Sequence, residues 1–367
     1  MKRALCLVLF LPFAALAQTA NDPIRNASGT ASTPAWLAAP VTARGNWMTT
    51  FDGSVFLTTA SQTGPAVQEH DTFSTNWLSA AAQRRLGDSA FVLFRVRGSL
   101  EPMTIKSEGY PQLFQQISPR SGGPLIDRMR AQDLVSEAAV QLGYRTTANS
   151  YAHIYIGAVG DPALGALPYA VRPSSREFAE GPFAYDVQES LHSATRVATA
   201  GFSSQMIAIE GSAFHHSVTT GDHSSIDDGD MDSWSARVTV NPIGRLSVQA
   251  SHGSLGDAKV KVNSASASYG SQAAAFSAIW TEVGGQRALA AELLGRIRRT
   301  TLMVRGENVE GQDRTHVTAG AIVDVMQRSP FRAGIGINVD YHTNTKPLTA
   351  VYGHKPQSIY LFARVRR

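Results

Sequence analysis

The chain has 367 residues, long enough to bury a sizeable core, so neither disorder nor a disulfide-held miniature is needed to explain it. Charged residues make up only 17% of it, and Lys+Arg 33 against Asp+Glu 29 leave a formal net charge of +4. That excess is small and dispersed, so nucleic acid is not expected as a partner.

In chain order, Met1-Lys2-Arg3 is a short positive head, and residues 4–15 (ALCLVLFLPFAA) are almost wholly apolar. Ala15-Leu16-Ala17 then has the small-x-small form of a cleavage site, so residues 1–17 are expected to be a secretory signal peptide. The one cysteine, Cys6, lies inside it. The mature chain is therefore expected to lack a thiol for disulfides, nucleophilic catalysis or metal ligation. Residues 18–44, rich in Ala, Thr, Pro and Asn and without period, read as a flexible leader. No later run approaches the roughly 18 apolar residues of a membrane helix.

Over 45–367 the pattern has period two. In 89–98 (SAFVLFRVRG), Ala90, Val92, Phe94 and Val96 share one face, with Arg95 and Arg97 on the other. In 232–240 (DSWSARVTV), Trp234, Ala236, Val238 and Val240 alternate with Ser233, Ser235, Arg237 and Thr239. The same alternation runs through 245–251 (RLSVQAS), 331–341 (FRAGIGINVDY) and 358–365 (SIYLFARV). It predicts half-exposed strands. Residues 76–83 (NWLSAAAQ) alternate poorly and leave a helix open there.

Short polar turns fall at 86–88, 145–149, 202–205, 241–245, 270–272, 296–299 and 327–330. Longer segments lie around 60–72, 101–131, 160–191, 215–231, 253–261, 283–286, 309–314 and 343–356. Seven short and eight longer connections join sixteen strands. A soluble sandwich would put Lys and Glu on its wet face. Here the polar face is mostly Ser, Thr, Gly, Gln and Asn with single Arg or Glu residues, as a lumen wall requires. The expectation is an all-β fold: a transmembrane antiparallel β-barrel of about 16 strands in the bacterial outer membrane, with short periplasmic turns and long extracellular loops. The 101–131 and 160–191 loops are long and rich in Pro, Gly and aromatics, and are expected to fold over or into the barrel mouth.

Charge on the lipid face costs about 2–4 kcal/mol near the midplane. Arg95, Arg97, Asp133, Glu137, Arg196, Glu210, Arg237, Glu292, Arg305, Glu307, Asp324, Asp340 and Arg364 are therefore expected to line the lumen, with Arg95, Arg97, Glu137, Glu210, Arg237 and Arg305 coupled across it. They fit either a polar conduction path or mutual pairing that braces a plugged barrel. No HExxH, Gly-x-Ser-x-Gly, P-loop or dinucleotide fingerprint is present. Ser190 and His192 lie close in sequence without defining a triad, and the acidic run 222–232 lacks the spacing and closing Glu of a calcium loop. No catalytic residue, metal site or cofactor is expected.

Several stretches together carry a resemblance: Ser99-Leu100-Glu101-Pro102-Met103-Thr104, Gly109-Tyr110-Pro111-Gln112-Leu113-Phe114-Gln115, and Leu125-Ile126-Asp127-Arg128 running on to Asp133-Leu134. Gly160-Asp161-Pro162-Ala163-Leu164-Gly165, Arg172-Pro173-Ser174, Thr199-Ala200-Gly201-Phe202, Glu210-Gly211-Ser212-Ala213-Phe214 and Asp232-Ser233-Trp234-Ser235-Ala236-Arg237 continue it. From about Trp47 onward the chain resembles an uncharacterised family of bacterial outer-membrane proteins. The family's Asp-Arg-Gln-His-Pro-His-Asp motif is degenerate here, with Arg130 and Gln132 in place of both histidines. A second family stretch keeps only His192. The resemblance implies an outer-membrane barrel and marks Asp127, Arg128, Asp133, Arg172, Pro173, Ser174 and His192 as motif positions. The expected function is a passive channel or transport protein for a small solute. The alternatives are a closed structural or surface-binding barrel and, third, a barrel-embedded hydrolase. The expected partners are outer-membrane lipid and lipopolysaccharide, with barrel-assembly machinery during insertion.

Overall fold

The computed structural model describes residues 23–34, 40–63, 70–114, 117–118, 126–129, 131–192, 194–217, 226–227, 229–310, 314–343 and 349–367. The expected signal peptide, 1–17, lies outside them. The wall strands, numbered β1 to β16 in chain order, begin with β1 Trp47–Thr63, β2 Asn76–Leu86, β3 Ala90–Gly98 and β4 Val135–Thr147. Next come β5 Ser150–Gly160, β6 Ala194–Ser204, β7 Ile207–His216 and β8 Ser233–Ile243. They are followed by β9 Leu246–Leu255, β10 Val260–Gly270, β11 Ala274–Val283 and β12 Gln286–Ile297. The wall ends with β13 Thr300–Val309, β14 Arg314–Arg328, β15 Phe331–His342 and β16 Gln357–Arg366.

Each strand pairs antiparallel with its sequence neighbours, and β16 pairs with β1 from Ser54↔Arg366 to Thr63↔Gln357, closing the sheet into a barrel. Closure meets the backbone N–H and C=O groups of both edges without water. The first residues of β1 extend past β16, and the strand Val41–Arg44 pairs with them as a hairpin. Residues 76–83, where a helix was left open, belong to β2, paired from Trp47↔Arg84 to Val55↔Asn76. The β11–β12 connection differs from the expected longer loop. Val283 and Gln286 are directly paired, and Gly284 and Gly285 turn the chain at positive φ.

Alternation has a physical reading along every strand. Leu57, Val96, Ile156, Ile209, Leu293, Ile335 and Leu361 point outward and are each more than half exposed. The opposite face is buried and more apolar than a purely polar lumen wall. Phe91 and Leu93 share it with Arg95 and Arg97, and Phe56, Phe214, Met303, Tyr360 and Phe362 also point inward. Those rings find partners because chain fills the lumen. Gly336 sits opposite Phe362, whose ring lies over it so closely that a Cβ would meet Cζ at 2.4 Å.

Ala236 and Ser235 are adjacent in β8, one exposed and one buried. In the folded barrel, Ala236→Cys should react with a lipid-soluble maleimide and Ser235→Cys only after unfolding. The reverse pattern would place every β8 side chain on the wrong face.

Candidate functional site

The connection from β5 to β6 does not lie over the mouth but enters the barrel, and almost all of 161–192 is buried. Pro162, Pro168 and Pro173 prevent a long helix, and the chain folds instead in tight turns. Val171 and Arg172 N–H donate to Pro168 O (3.1 and 2.9 Å), Ser175 and Arg176 to Arg172 O, and Phe178 to Ser175 O. A helical turn at Tyr185–Gln188 and a 3-10 turn at Ser190–His192 lead back to the wall.

The middle of this insert is held by charge and by one apolar contact, Phe178 and Ala179 packing with Phe56, Met303, Ile322 and Phe362. Arg172 forms a bidentate pair with Glu292 of β12 (Nη2–Oε1 2.8 Å, Nε–Oε2 2.9 Å) and also reaches Glu189 Oε1 at 3.1 Å. Ser174 Oγ bonds the same Glu292 at 2.7 Å. Arg176 pairs with Asp52 at 3.1 Å, and Glu177 gathers Arg364, Arg366 and Arg296. Glu180 meets Arg305 at 3.4 Å and accepts from Asn338 Nδ2 at 2.7 Å. The two ends carry the Asp161–His192 pair (2.7 Å) and pack apolar side chains against the wall. Leu164 and Leu191 pack with Val197, Phe214, Leu255 and Val262, while Phe183 and Val187 pack with Ala288 and Val309.

Residues 23–34 of the expected leader also lie inside the wall. Arg95 donates to the carbonyls of Pro23 (2.9 Å) and Gly29, and Gly29 N–H donates to Glu137 at 3.1 Å. Ser28 Oγ bonds Asp161, and Thr30 Oγ1 accepts from Arg237 Nη2 at 3.0 Å. This segment thus binds Arg95, Glu137 and Arg237, wall charges other than those the insert pairs with, and it meets the insert at Asp161.

Of the expected lumen residues, Arg95, Arg97, Glu137, Glu210, Arg237, Glu292, Arg305, Glu307, Asp324, Asp340 and Arg364 are buried on the inner face. Asp133 is half-buried just ahead of β4. Arg196 is a correction: a register shift between Thr195 and Ala198, with Arg196 at φ 50°, turns its side chain outward toward Asp230 (3.8 Å) while Val197 points in. The coupling also differs from the expectation of pairs spanning the lumen. Arg97–Glu137 and Arg237–Glu210 join adjacent strands, and Arg364 reaches Asp324 (2.5 Å) past Gly334 of the strand between. Other contacts stay within the wall, as Arg305–Glu307 does at 3.0 Å, or run through the insert and residues 23–34, because a side chain reaches only a few ångströms and the lumen is wider.

The motif positions cluster around the insert. Arg172, Pro173 and Ser174 are buried in it, and Glu189 lies between Arg172 and His192, whose Nε2 is 3.9 Å away. Arg128 donates to Gly109 O at 2.8 Å and pairs with Asp71. Gln132 bonds Glu101 and the Tyr169 hydroxyl (3.1 and 3.0 Å). Arg130 lies outside the described residues, as does the side chain of Asp127. Ser190 Oγ donates to Asp186 O at 2.6 Å, while His192 Nδ1 faces Asp161 at 2.7 Å, so the two do not form a hydrolase pair. Sequence reasoning missed Asp161, Arg176, Glu177, Glu180 and Glu189, which lie in loops where period two has no meaning. Their only signal was alternating charge in a segment too long to be a plain connection.

Between insert and wall a cavity of about 80 Å³ remains beside Arg97, Asp133, Tyr169 and His192. Toward the short-turn rim a vestibule of about 670 Å³ is lined by Asp52, Arg176, Arg296, Arg332, Arg366 and Arg367. The vestibule is strongly basic.

A closed sixteen-stranded antiparallel barrel with an apolar outer face is a porin-like β-barrel. No protein-family model and no curated protein matches the sequence. Among solved structures the chain is similar to Salmonella typhi OmpF, in a complex with daunomycin, at TM-score 0.57 and 9% identity over 89% of this chain and 100% of that one. It is also similar to a triple mutant of the Rhodopseudomonas blastica porin, at TM-score 0.48 and 11% identity over 87% and 100%. At such identities the likeness to OmpF is one of fold.

Removing Arg172 strands Glu292 and Glu189 in buried positions. Arg172→Met should destabilise the barrel by about 3–5 kcal/mol in urea unfolding. Adding Glu292→Gln should recover part of that loss.

Asp161 gives a pH dependence. Burial alone would push its carboxyl up, but the His192 ring, Arg97 and Ser28 outweigh burial and hold it below the usual carboxylate range. A depressed folded value adds stability above the unfolded value of about 3.9 and loses it as pH falls through the folded one. The stability gap between the natural chain and Asp161→Asn, read from the gel-shift melting temperature, should therefore narrow below about pH 4.

Proposed function

We propose that the chain works in the bacterial outer membrane as a passive channel for small polar solutes, with a resting lumen shut by the 161–192 insert. Conduction follows when the middle of that insert leaves the wall. The observation that carries this reading is the uneven attachment of the insert: its ion pairs to the wall fall in residues 172–180, beside the apolar contact of Phe178 and Ala179, whereas Leu164, Leu191, Phe183 and Val187 anchor its ends by apolar packing. A buried ion pair is close to neutral against its hydrated alternative, whereas apolar anchors resist exposure to water. The ion pairs of the middle can therefore exchange for water at modest cost, so its release costs chiefly the Phe178–Ala179 contact while the ends stay fixed. The fold likeness to a solved porin supports the same reading, and the basic vestibule would favour anions on the short-turn side.

The second reading, a closed structural barrel, draws support from residues 23–34, which add a further obstruction. Planar-bilayer recording separates the two. The natural chain should show long closed periods, and Glu177→Gln, which releases three arginines, should increase the open fraction severalfold. Silence from a properly folded barrel in which 172–180 is replaced by a short Gly/Ser run would sink the channel and leave the structural reading.

A further inference from the structure

Near the long-loop rim, the register of β14 and β15 sets His316 opposite His342 and Thr318 opposite Asp340. The two imidazoles lie parallel, 4.3 Å between centroids and 1° between planes. Asp340 Oδ1 is 3.4 Å from His316 Nε2 and accepts from Thr318 Oγ1 at 2.7 Å. One donor atom from each of His316, Asp340 and His342 lies within 4.8 Å of the others, and each residue is at most 1% exposed.

Glu180, Glu307 and Asp340 bring three carboxylates together. The guanidinium that meets them is Arg305, 3.4 Å from Glu180 and 3.0 Å from Glu307. All four are at most 2% exposed. His316 and His342 lie beside this carboxylate-rich group. Protonating both would stack two cations face to face, an unfavourable contact in a buried site. A divalent ion supplies the same charge while both rings stay neutral and donate lone pairs.

We propose that His316, His342 and Asp340 bind one divalent transition-metal ion of the zinc class. Two imidazoles with one carboxylate form a donor set that zinc accepts with a fourth position open, and imidazole nitrogen favours it over calcium or magnesium. Behind the site, Glu307 Oε2 stands 3.3 Å from His316 Nδ1, the place of the outer carboxylate that orients a metal-bound histidine. Bonds of about 2.0–2.2 Å draw the three donor atoms together by side-chain rotation. The same Glu307 accepts from Phe183 N–H and Ala184 N–H, both at 3.0 Å, so the ion also steadies the tip of the insert.

The test uses the full chain refolded in detergent with zinc chloride, freed of loose metal by gel filtration and assayed by elemental analysis. About one zinc per chain should remain and should raise the gel-shift melting temperature above that of chelator-treated protein. His342→Gln should lose both effects. Should that variant fail to fold, Asp340→Asn takes its place with the same expected loss. His215→Ala, which alters the surface contact of His215 with Asp227 and Asp232, should retain the zinc. A folded natural chain that retains no zinc overturns the proposal, as does retention by folded His342→Gln or Asp340→Asn, or loss with His215→Ala. The outcome is independent of whether the lumen conducts.

Discussion

A wall of strands in hydrocarbon must meet every backbone polar group with another strand and show lipid only apolar side chains. Closing β1 on β16 satisfies the first demand, and it leaves the second to alternation. Alternation then sends the mid-strand charges, Arg196 excepted, to one confined side. Glu210 faces Arg237, Glu137 faces Arg97 and Glu307 faces His316 across neighbouring strands, but these wall pairs do not satisfy the whole set. Glu292 is directly opposite Arg305, yet it bonds Arg172 of the insert while Arg305 bonds Glu180 and Glu307. The charges inside follow from the lipid outside.

Two kinds of contact divide the work of filling the lumen. A fully buried Leu or Phe contributes about 1.5–3 kcal/mol, which makes Leu164, Leu191 and Phe183 the firm anchors of the insert. Buried ion pairs lose in desolvation most of what they gain by attraction. Their contribution is direction: Arg172 fits the Glu292 carboxylate in one bidentate orientation, and Glu177 can satisfy three arginines from one position only. Apolar packing fixes how strongly the insert stays, and the charges fix where it sits.

The wall was legible in the sequence because period two is a local property. Residues 89–98 announce their two faces within ten positions, and the spacing of turns counted the strands. Parity failed at Arg196, where a bulge of irregular register reverses the face and no local residue type signals it. The insert was legible only as an anomaly of length and composition. Glu177 and Arg364 are far apart in sequence, and nothing near either residue announces the other. The pairing of His316 with His342 likewise exists only in register, since the residues between them include a hairpin turn. What pattern cannot carry is the identity of partners brought together by closure.

Residues 23–34 precede β1 in the chain yet finish inside the ring that β1 helps to close. Arg95, Glu137 and Arg237, which hold them, belong to β3, β4 and β8, so the segment needs half the wall before its binding sites exist. Once the seam between first and last strands has zipped, a passenger can be threaded only through an open rim. Assembly of this barrel therefore has a chronology as well as a geometry: the earliest-made stretch waits for much later strands and is admitted before, or drawn in after, the final seam forms.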